Sequence, residues 1–212
     1  MLRQLFVTAA ALCIALPALA SVKKVAVNPT ESKVTWKAEK KLMAGHTGTI
    51  AIKTADVMIE NGMIAKGSTL AMDMGTITVT DIPATQKENG DLVGHLKSDD
   101  FFGVTKNPEA KLVVQSSKVT TPGTLEVTGD LTIKGQTQPI TFPVTLTEKD
   151  GKTMASGKMV IDRLKYGIKY NSESAFKNLV ANKIIKDQFE VNFNVIGTTA
   201  AAGTTTPAKK AK

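Results

Sequence analysis

Apolar and polar side chains alternate with a period of two along most of this chain. That spacing places successive side chains on opposite faces of an extended strand, so each such stretch predicts a β-strand with one apolar face. The clearest stretches have their apolar positions at Val34, Trp36 and Ala38; Leu125, Val127, Leu131 and Ile133; Phe142, Val144 and Leu146; and Phe189, Val191, Phe193 and Val195. The chain is therefore predicted to be mainly β-structure.

Turn-forming pairs separate these stretches. Asn61-Gly62 and Asp150-Gly151 favour tight hairpins, because both residues of each pair adopt positive φ at low cost. Lys66-Gly67 and Lys134-Gly135 mark further turns. No strand–helix–strand units interrupt the series, so the strands are predicted to be antiparallel, in either a closed barrel or a sandwich.

Two segments depart from the period of two. Residues 91–102 predict a short helix or loop, with Leu92, Leu96 and Phe101 or Phe102 on its buried side. Residues 172–180 begin with a serine suited to helix capping and continue with apolar residues at helical spacing, which predicts a second short helix.

The two ends of the chain differ from its body. Residues 1–20 combine Arg3, an apolar run and small residues up to Ala20, a pattern typical of a cleaved export signal. Residues 197–212 hold only small and basic residues, and we expect this tail to be disordered. Residues 21–196 show no repeat and no linker, which predicts a single domain.

Charge and cysteine content narrow the functional classes. The net charge is +8, but Lys209, Lys210 and Lys212 carry three of these units in the tail, and no basic–aromatic run is present. We therefore expect no nucleic-acid binding and a weak attraction to anionic membrane surfaces. The only cysteine, Cys13, lies within the export signal, so the domain is expected to lack disulfides, thiolate nucleophiles and cysteine-ligated metals.

The two histidines, His46 and His95, are the residues that would serve a metal site or a general base, paired with Asp73 or Asp99. Neither has the spacing of a metal-binding motif, and no other histidine can complete a ligand shell. A hydrogen bond to backbone at a turn or barrel end is the favoured interpretation, and contact with a ligand headgroup is the alternative. No catalytic residue, metal or cofactor is predicted.

Residues 162–170 form a second informative block. Tyr166, Ile168 and Tyr170 are predicted to share one face of a strand, where each tyrosine offers a ligand an apolar ring and a hydroxyl group. The Asp-Arg pair that begins the block is expected to close one end of the fold through a charge-assisted hydrogen bond.

Residues 94–102, Gly-His-Leu-Lys-Ser-Asp-Asp-Phe-Phe, resemble the signature of the YceI-like family, which are lipocalin-like barrels of the periplasm associated with polyisoprenoid lipids. Further motifs similar to those of the family occur in order, at residues 32–36, 45–48, 73–77, 131–135 and 162–172. Gly103 departs from the pattern, since the family usually has aspartate there.

The resemblance implies an extended eight-stranded antiparallel barrel with one or two short helices. It also implies that the barrel encloses a long isoprenoid lipid, either a polyprenyl chain or an isoprenoid quinone, and binds, stores or transports it in the periplasm without being an enzyme. A transient membrane-surface contact and a homodimer are left open. The residues expected to line or gate the cavity are Trp36, His46, His95, Phe101, Phe102, Tyr166, Ile168, Tyr170, Phe176, Phe189, Val191 and Phe193.

Two alternatives to a lipid carrier remain open from the sequence. A barrel filled by its own side chains would serve as an envelope stress or partner-binding protein. An enzyme acting on a lipid-like substrate would use His46 or His95 as its base.

Overall fold

The computed structural model describes residues 22–176 and 180–199, and most of them lie in β-strands. The strands are β1 Val22–Val27, β2 Lys33–Lys40, β3 His46–Thr49, β4 Ala51–Glu60, β5 Met63–Ile64, β6 Thr69–Asp73, β7 Glu109–Thr121, β8 Thr124–Ile133, β9 Gln136–Lys149, β10 Lys152–Asp162 and β11 Ile185–Thr199. One α-helix, α1, spans Lys87–Lys97, and short 3-10 helices span Met74–Thr76, Arg163–Tyr166 and Ala181–Lys183.

The sheet closes on itself as an eight-stranded antiparallel barrel. Strands β1 and β2 lie end to end and together make one of the eight staves of the barrel. Strands β3 and β4 together make the next one, where β3 pairs with β2 and β4 pairs with β1. Strand β11 closes the barrel by pairing with β2 and then with β1, where Val25 faces Thr199. The prediction of an antiparallel barrel is confirmed. The tail prediction is wrong at its first residues, because Gly197 to Thr199 are part of β11.

The predicted hairpin turns have the expected backbone. Asn61 and Gly62 have φ of 52° and 74°, and Asp150 and Gly151 have the same two values. These turns and the one at residues 122–123 lie at what we call the lower end of the barrel. The upper end carries the turn at residues 134–135, the loop 41–45, helix α1 and residues 163–176 and 180–184.

Helix α1 and the loop after it lie at the upper end. The prediction for residues 91–102 is confirmed, since the helix covers most of them and both Leu96 and Phe101 are buried. The second predicted helix is wrong in its described part, where residues 173–175 form a turn; residues 177–179 lie outside the described residues. Among the described residues, no helix combines the length and apolar character needed to cross a membrane.

The sequence pattern predicted that the block after β10 is a strand. This prediction is wrong. Asp162 accepts a hydrogen bond from the Leu164 N–H through Oδ1 at 3.0 Å, which starts a 3-10 helix. Gly167, at φ 72°, ends that helix in the left-handed conformation. Tyr166, Ile168 and Tyr170 therefore do not share a strand face.

Arg163 holds the upper end together. Its side chain is buried, and each of its five N–H groups has an acceptor. The acceptors are the carbonyl oxygens of Ile168, Tyr170, Ile185 and Lys186, at 2.8–3.1 Å, and the carboxylate of Asp187 at 3.4 Å. The predicted end-closing role fits this geometry, but the partner is Asp187 and four carbonyls rather than Asp162. Arg163 thereby ties the segment after β10 to the start of β11.

Replacement of Arg163 by methionine should lower the free energy of unfolding by about 3 kcal/mol or more, because a buried acceptor left without its donor costs about 1–3 kcal/mol. Urea unfolding measures this change. The control is Lys165→Met, at an exposed position in the same 3-10 helix, where a change within about 0.5 kcal/mol is expected. Equal effects of the two substitutions would contradict the role given to Arg163.

Candidate functional site

Where apolar and polar residues alternate along a strand, the face that points into the barrel is the apolar one. In β8 each second residue is buried, including Leu125, Val127 and Leu131, while the residues between them are only partly buried. In β11, the alternate residues Val191 and Phe193 also point into the barrel. The apolar side chains recognised in the sequence therefore face the interior of the barrel.

Two cavities lie inside the barrel, one above the other. The space open to the centres of water-sized spheres is about 110 Å³ in the upper cavity and about 120 Å³ in the lower one. By the same measure a single water molecule needs only ~10–15 Å³. The alternative of a packed barrel requires an interior filled by the protein's own side chains. These two cavities show that the interior is not filled.

The two cavities are neighbours with a common boundary. Six residues line both of them: Val34, Met72, Ala110, Leu131, Met159 and Val191. Two of these are methionines, whose unbranched side chains change rotamer and packing readily. From Ile185 to Val195 along β11, at ~3.3 Å per residue and a strand tilt of ~40°, the combined space extends for roughly 25 Å. Taken together, the two adjoining cavities outline one long, narrow, apolar channel, and the six shared residues separate its upper and lower parts.

Small residues on the inner face leave this space open. Ala38, Ala110 and Ala155 line the cavities and contribute only a methyl group each. Gly157 has no side chain, and the ring of Phe193 lies across it: a Cβ at position 157 would be 2.7 Å from the Cζ atom of Phe193. Phe193 meets Phe142 edge to face at 5.9 Å, so this ring is held in place within the lower cavity.

The two ends of the channel differ. Below the lower cavity, Val25, Ile59 and Leu125 pack together with 4% or less of their surface exposed, and they close the lower end. At the upper end the lining includes Ile185 and Lys186, and the Lys186 side chain is 53% exposed. The channel therefore approaches the surface at the upper end.

Helix α1 and the loop after it supply the upper wall. Leu96, Phe101 and Phe102 line the upper cavity. Phe101 also contacts the rings of His95, at 4.9 Å between centroids, and Tyr170, at 5.4 Å. Phe101 thus lies between the upper cavity and the rings of His95 and Tyr170.

The polar side-chain groups of the lining have partners within the protein. Trp36 donates its Nε1–H to the carbonyl oxygen of Thr78 at 3.1 Å, and the Lys186 ammonium donates to Glu39 at 2.6 Å. Burial lowers the pKa of Arg163, which the carboxylates of Asp187 and Asp162 partly offset, and a guanidinium keeps its proton in such a site. The surface that the channel offers is therefore almost entirely apolar.

His46 lies in β3 at the upper end of the barrel, opposite Ala38 of β2, and is not among the residues that line the upper cavity. Its Nδ1 is 2.8 Å from Asp81 Oδ2, and the Thr47 N–H donates to the other oxygen of Asp81 at 2.8 Å. Partial burial raises the pKa of Asp81, but these hydrogen bonds outweigh it and hold the pKa below its ordinary value. The pair joins the segment before α1 to β3, so His46 does not line the cavity.

His95 also pairs with a carboxylate, since its Nε2 is 3.0 Å from Asp100 Oδ2. The predicted partners of the histidines, backbone groups or the carboxylates of Asp73 and Asp99, were wrong. Within the described ranges no three His, Cys, Asp or Glu side chains are grouped as a metal site would require.

Seven of the twelve predicted site residues line the channel. They are Trp36, Phe101, Phe102, Ile168, Phe189, Val191 and Phe193. Tyr170 and Phe176 instead border an open pocket on the outer surface, and Tyr166 is buried in the core, where burial raises the pKa of its hydroxyl. With His46 and His95, these are the five predicted site residues that lie outside the cavity lining, and a gating or binding role for them stays a prediction.

The sequence prediction missed several lining residues, although they lie at alternate positions of their strands. Ala155, Met159 and Ile161 share one parity in β10 and line the cavities, as do Ala110 and Leu112 in β7. A preference for aromatic side chains led the prediction away from these smaller and more flexible ones.

Comparison with known proteins gives one family for this architecture. Residues 26–196 match the YceI-like domain. A UPF0312 protein of Staphylococcus epidermidis is 32% identical over 127 residues, which cover 56% of this chain and 71% of the relative. A UPF0312 protein of Pseudomonas putida is 51% identical over a shorter stretch of 51 residues, 24% of this chain and 27% of the relative.

Solved structures share the fold at low sequence identity. BcnA of Burkholderia cenocepacia superposes with a TM-score of 0.65 at 19% identity, covering 81% of this chain and 99% of that protein. A polyisoprenoid-binding domain from Saccharophagus degradans superposes with a TM-score of 0.58 at 15% identity, covering 85% and 99%. The match over residues 26–196, together with the closed barrel and its order of strands, shows that this chain belongs to the YceI-like family.

Proposed function

We propose that this protein binds a long isoprenoid lipid, a polyprenyl chain or an isoprenoid quinone, and stores or transports it in the periplasm without covalent chemistry. The observation that carries the proposal is the channel of two adjoining apolar cavities with six shared lining residues. A slender hydrocarbon fits such a space, whereas a compact or polar ligand does not. The solved Saccharophagus degradans domain, described as polyisoprenoid-binding, supports the same ligand class.

The energetics of burial favour a ligand of several prenyl units. Each buried CH₂ group contributes ~0.8 kcal/mol, so one five-carbon unit contributes roughly 3 kcal/mol. Association costs ~4–15 kcal/mol in lost freedom, so three or four enclosed units are needed for useful affinity. A channel of roughly 25 Å offers that length in its extended direction.

The two different ends of the channel define the orientation of the ligand. The apolar tail reaches the lower cavity, whose lining has no polar side chain, and the polar head remains at the upper end near Lys186. A headgroup hydrogen bond adds only ~1 kcal/mol net. We therefore expect strong selection for the length of the tail and modest selection for the headgroup.

Purification of the protein from its native host, followed by organic extraction and mass spectrometry, tests the ligand class. About one isoprenoid lipid per protein molecule is expected, since the channel has room for one chain. Delipidated protein should take up a prenyl quinone or polyprenol from detergent solution. Absence of both a stoichiometric lipid and uptake would exclude this function.

Ala155→Phe tests whether the tail occupies the lower cavity. Ala155 lines only the lower cavity, so the added ring should fill that space and shorten the longest prenyl chain that binds, while short chains keep their affinity. Competition between prenyl alcohols of graded length measures this. Ser156→Phe is the matched control, because the next residue of a strand points away from the interior. Unchanged length selection in Ala155→Phe would mean that the tail lies elsewhere.

The periplasmic part of the proposal rests on residues 1–20, whose composition is that of an export signal. We expect the protein recovered from the periplasmic fraction to begin at Ser21, as read from its intact mass. Recovery of the chain from the cytoplasm with its first twenty residues still attached would contradict this location.

A further inference from the structure

Large apolar side chains are exposed at the upper end of the barrel. In the part of the chain that the structure describes, the loop 41–45 and the residues 163–176 and 180–184 carry five of them, which we call the upper-end patch. They are Leu42 (67% exposed), Met43 (55%), Tyr170 (36%), Phe176 (49%) and Val180 (63%). Val22 (49%), Val119 (57%) and Met154 (42%) are exposed toward the lower end, but they lie in strands rather than at the tips of the turns at residues 61–62, 122–123 and 150–151. The two ends of the barrel are therefore different surfaces.

The loop and the segment that carry the patch are bonded to each other. The Lys41 N–H donates to the carbonyl oxygen of Ile184 at 2.9 Å, and the Lys41 ammonium contacts Glu173 at 2.6 Å. The Ile185 N–H donates to the carbonyl oxygen of Asn171 at 2.9 Å. These contacts hold both parts of the patch at one end of the molecule.

Cationic side chains without a carboxylate partner accompany the patch. Lys40, Lys165, Lys169 and Lys183 have no carboxylate within 4 Å among the residues described, and all but Lys40 are classed as exposed. The carboxylates of Glu39, Glu173 and Asp187 in the same region are each paired with a lysine or with Arg163. These four lysines therefore leave positive charge beside the patch.

The patch surrounds the end at which the channel approaches the surface. The Arg163 network joins the segment after β10 to Ile185 and Lys186, which are part of the upper cavity lining. Apolar side chains ringed by lysines suit the interface of an anionic bilayer, where the rings and aliphatic groups enter the headgroup region and the ammonium groups meet lipid phosphates.

We propose that the upper-end patch docks the protein on an anionic lipid bilayer with the mouth of the channel facing the membrane. This inference rests on the proposed function, because a bound lipid gives the docking its purpose. A bilayer fits better than a second copy of the chain, since a two-fold dimer through this patch would bring the same lysines face to face. A lipid could then pass between membrane and channel with little exposure of its tail to water.

Flotation of the purified protein with phosphatidylcholine vesicles, with and without phosphatidylglycerol, tests the docking. Binding is expected only with phosphatidylglycerol and should weaken as salt is raised. The variant Lys165→Gln with Lys183→Gln should lower the partition coefficient about fivefold per lysine, as ~1 kcal/mol per charge predicts. Leu42→Ser with Met43→Ser should lower it further at high salt, where apolar contact dominates.

Two matched controls separate docking from a general effect of charge. Lys66→Gln with Lys149→Gln removes the same charge at the lower end and should leave flotation unchanged. Replacement of Lys209, Lys210 and Lys212 by Gln isolates the basic tail. The proposal is overturned if the lower-end variant loses as much binding as the upper-end one, or if only the tail variant loses it. Loss of a dimer in the Leu42 and Met43 variant, without vesicle binding by the parent, would assign the patch to self-association instead.

Uptake of a prenyl quinone from detergent solution, without vesicles, distinguishes this proposal from the function it rests on. None of the substituted residues lines the channel, so every variant should retain uptake. Retained uptake with no vesicle binding by the parent protein would remove the docking and leave the carrier. Vesicle binding without uptake would remove the carrier.

Discussion

The closure of eight antiparallel strands is the constraint on which the rest of this structure depends. Closure fixes the diameter of the barrel, so the size of the inward-facing side chains alone decides whether the interior is solid or hollow. Here alanines at positions 38, 110 and 155 stand among larger apolar residues on the inner face, and space remains. The channel is thus a consequence of side-chain size on one face of each strand.

The ends of the barrel determine what the channel can do. The lower end is closed by a packed apolar cluster around Ile59 and Leu125, which a ligand could pass only by disrupting the core. The upper end is held by hydrogen bonds from Arg163 to four carbonyl oxygens, so its cover is a separate segment that polar contacts tie to the barrel. A channel closed below and approached from above fits a carrier that loads and unloads through one mouth.

Local rules were sufficient to predict much of the fold. Period-two alternation predicted the long strands, and the Asn-Gly and Asp-Gly pairs predicted their hairpins, because strand faces and tight turns depend on neighbouring residues. The same rules failed after β10, where alternation at Tyr166, Ile168 and Tyr170 imitated a strand. Asp162 caps the start of a 3-10 helix, and Gly167 ends that helix in the left-handed conformation. These two residues were a better guide to the local structure than the alternation.

The site was less predictable, because it depends on contacts between residues far apart in the chain. His46 meets Asp81 across 35 positions, and no spacing in the sequence indicates that pair. Met72 and Met159, which line both cavities, come from strands on different parts of the barrel wall. Gly197 to Thr199 have little to bury, yet they join β11 because backbone pairing with β1 closes the barrel.

A crystal structure of the protein purified without delipidation tests the central claim most directly. The account predicts one elongated stretch of electron density that runs from Phe102 and Ile185, past Met72 and Met159, to Val195. Density confined to isolated waters, or an interior in which the side chains have collapsed and removed both cavities, would contradict it.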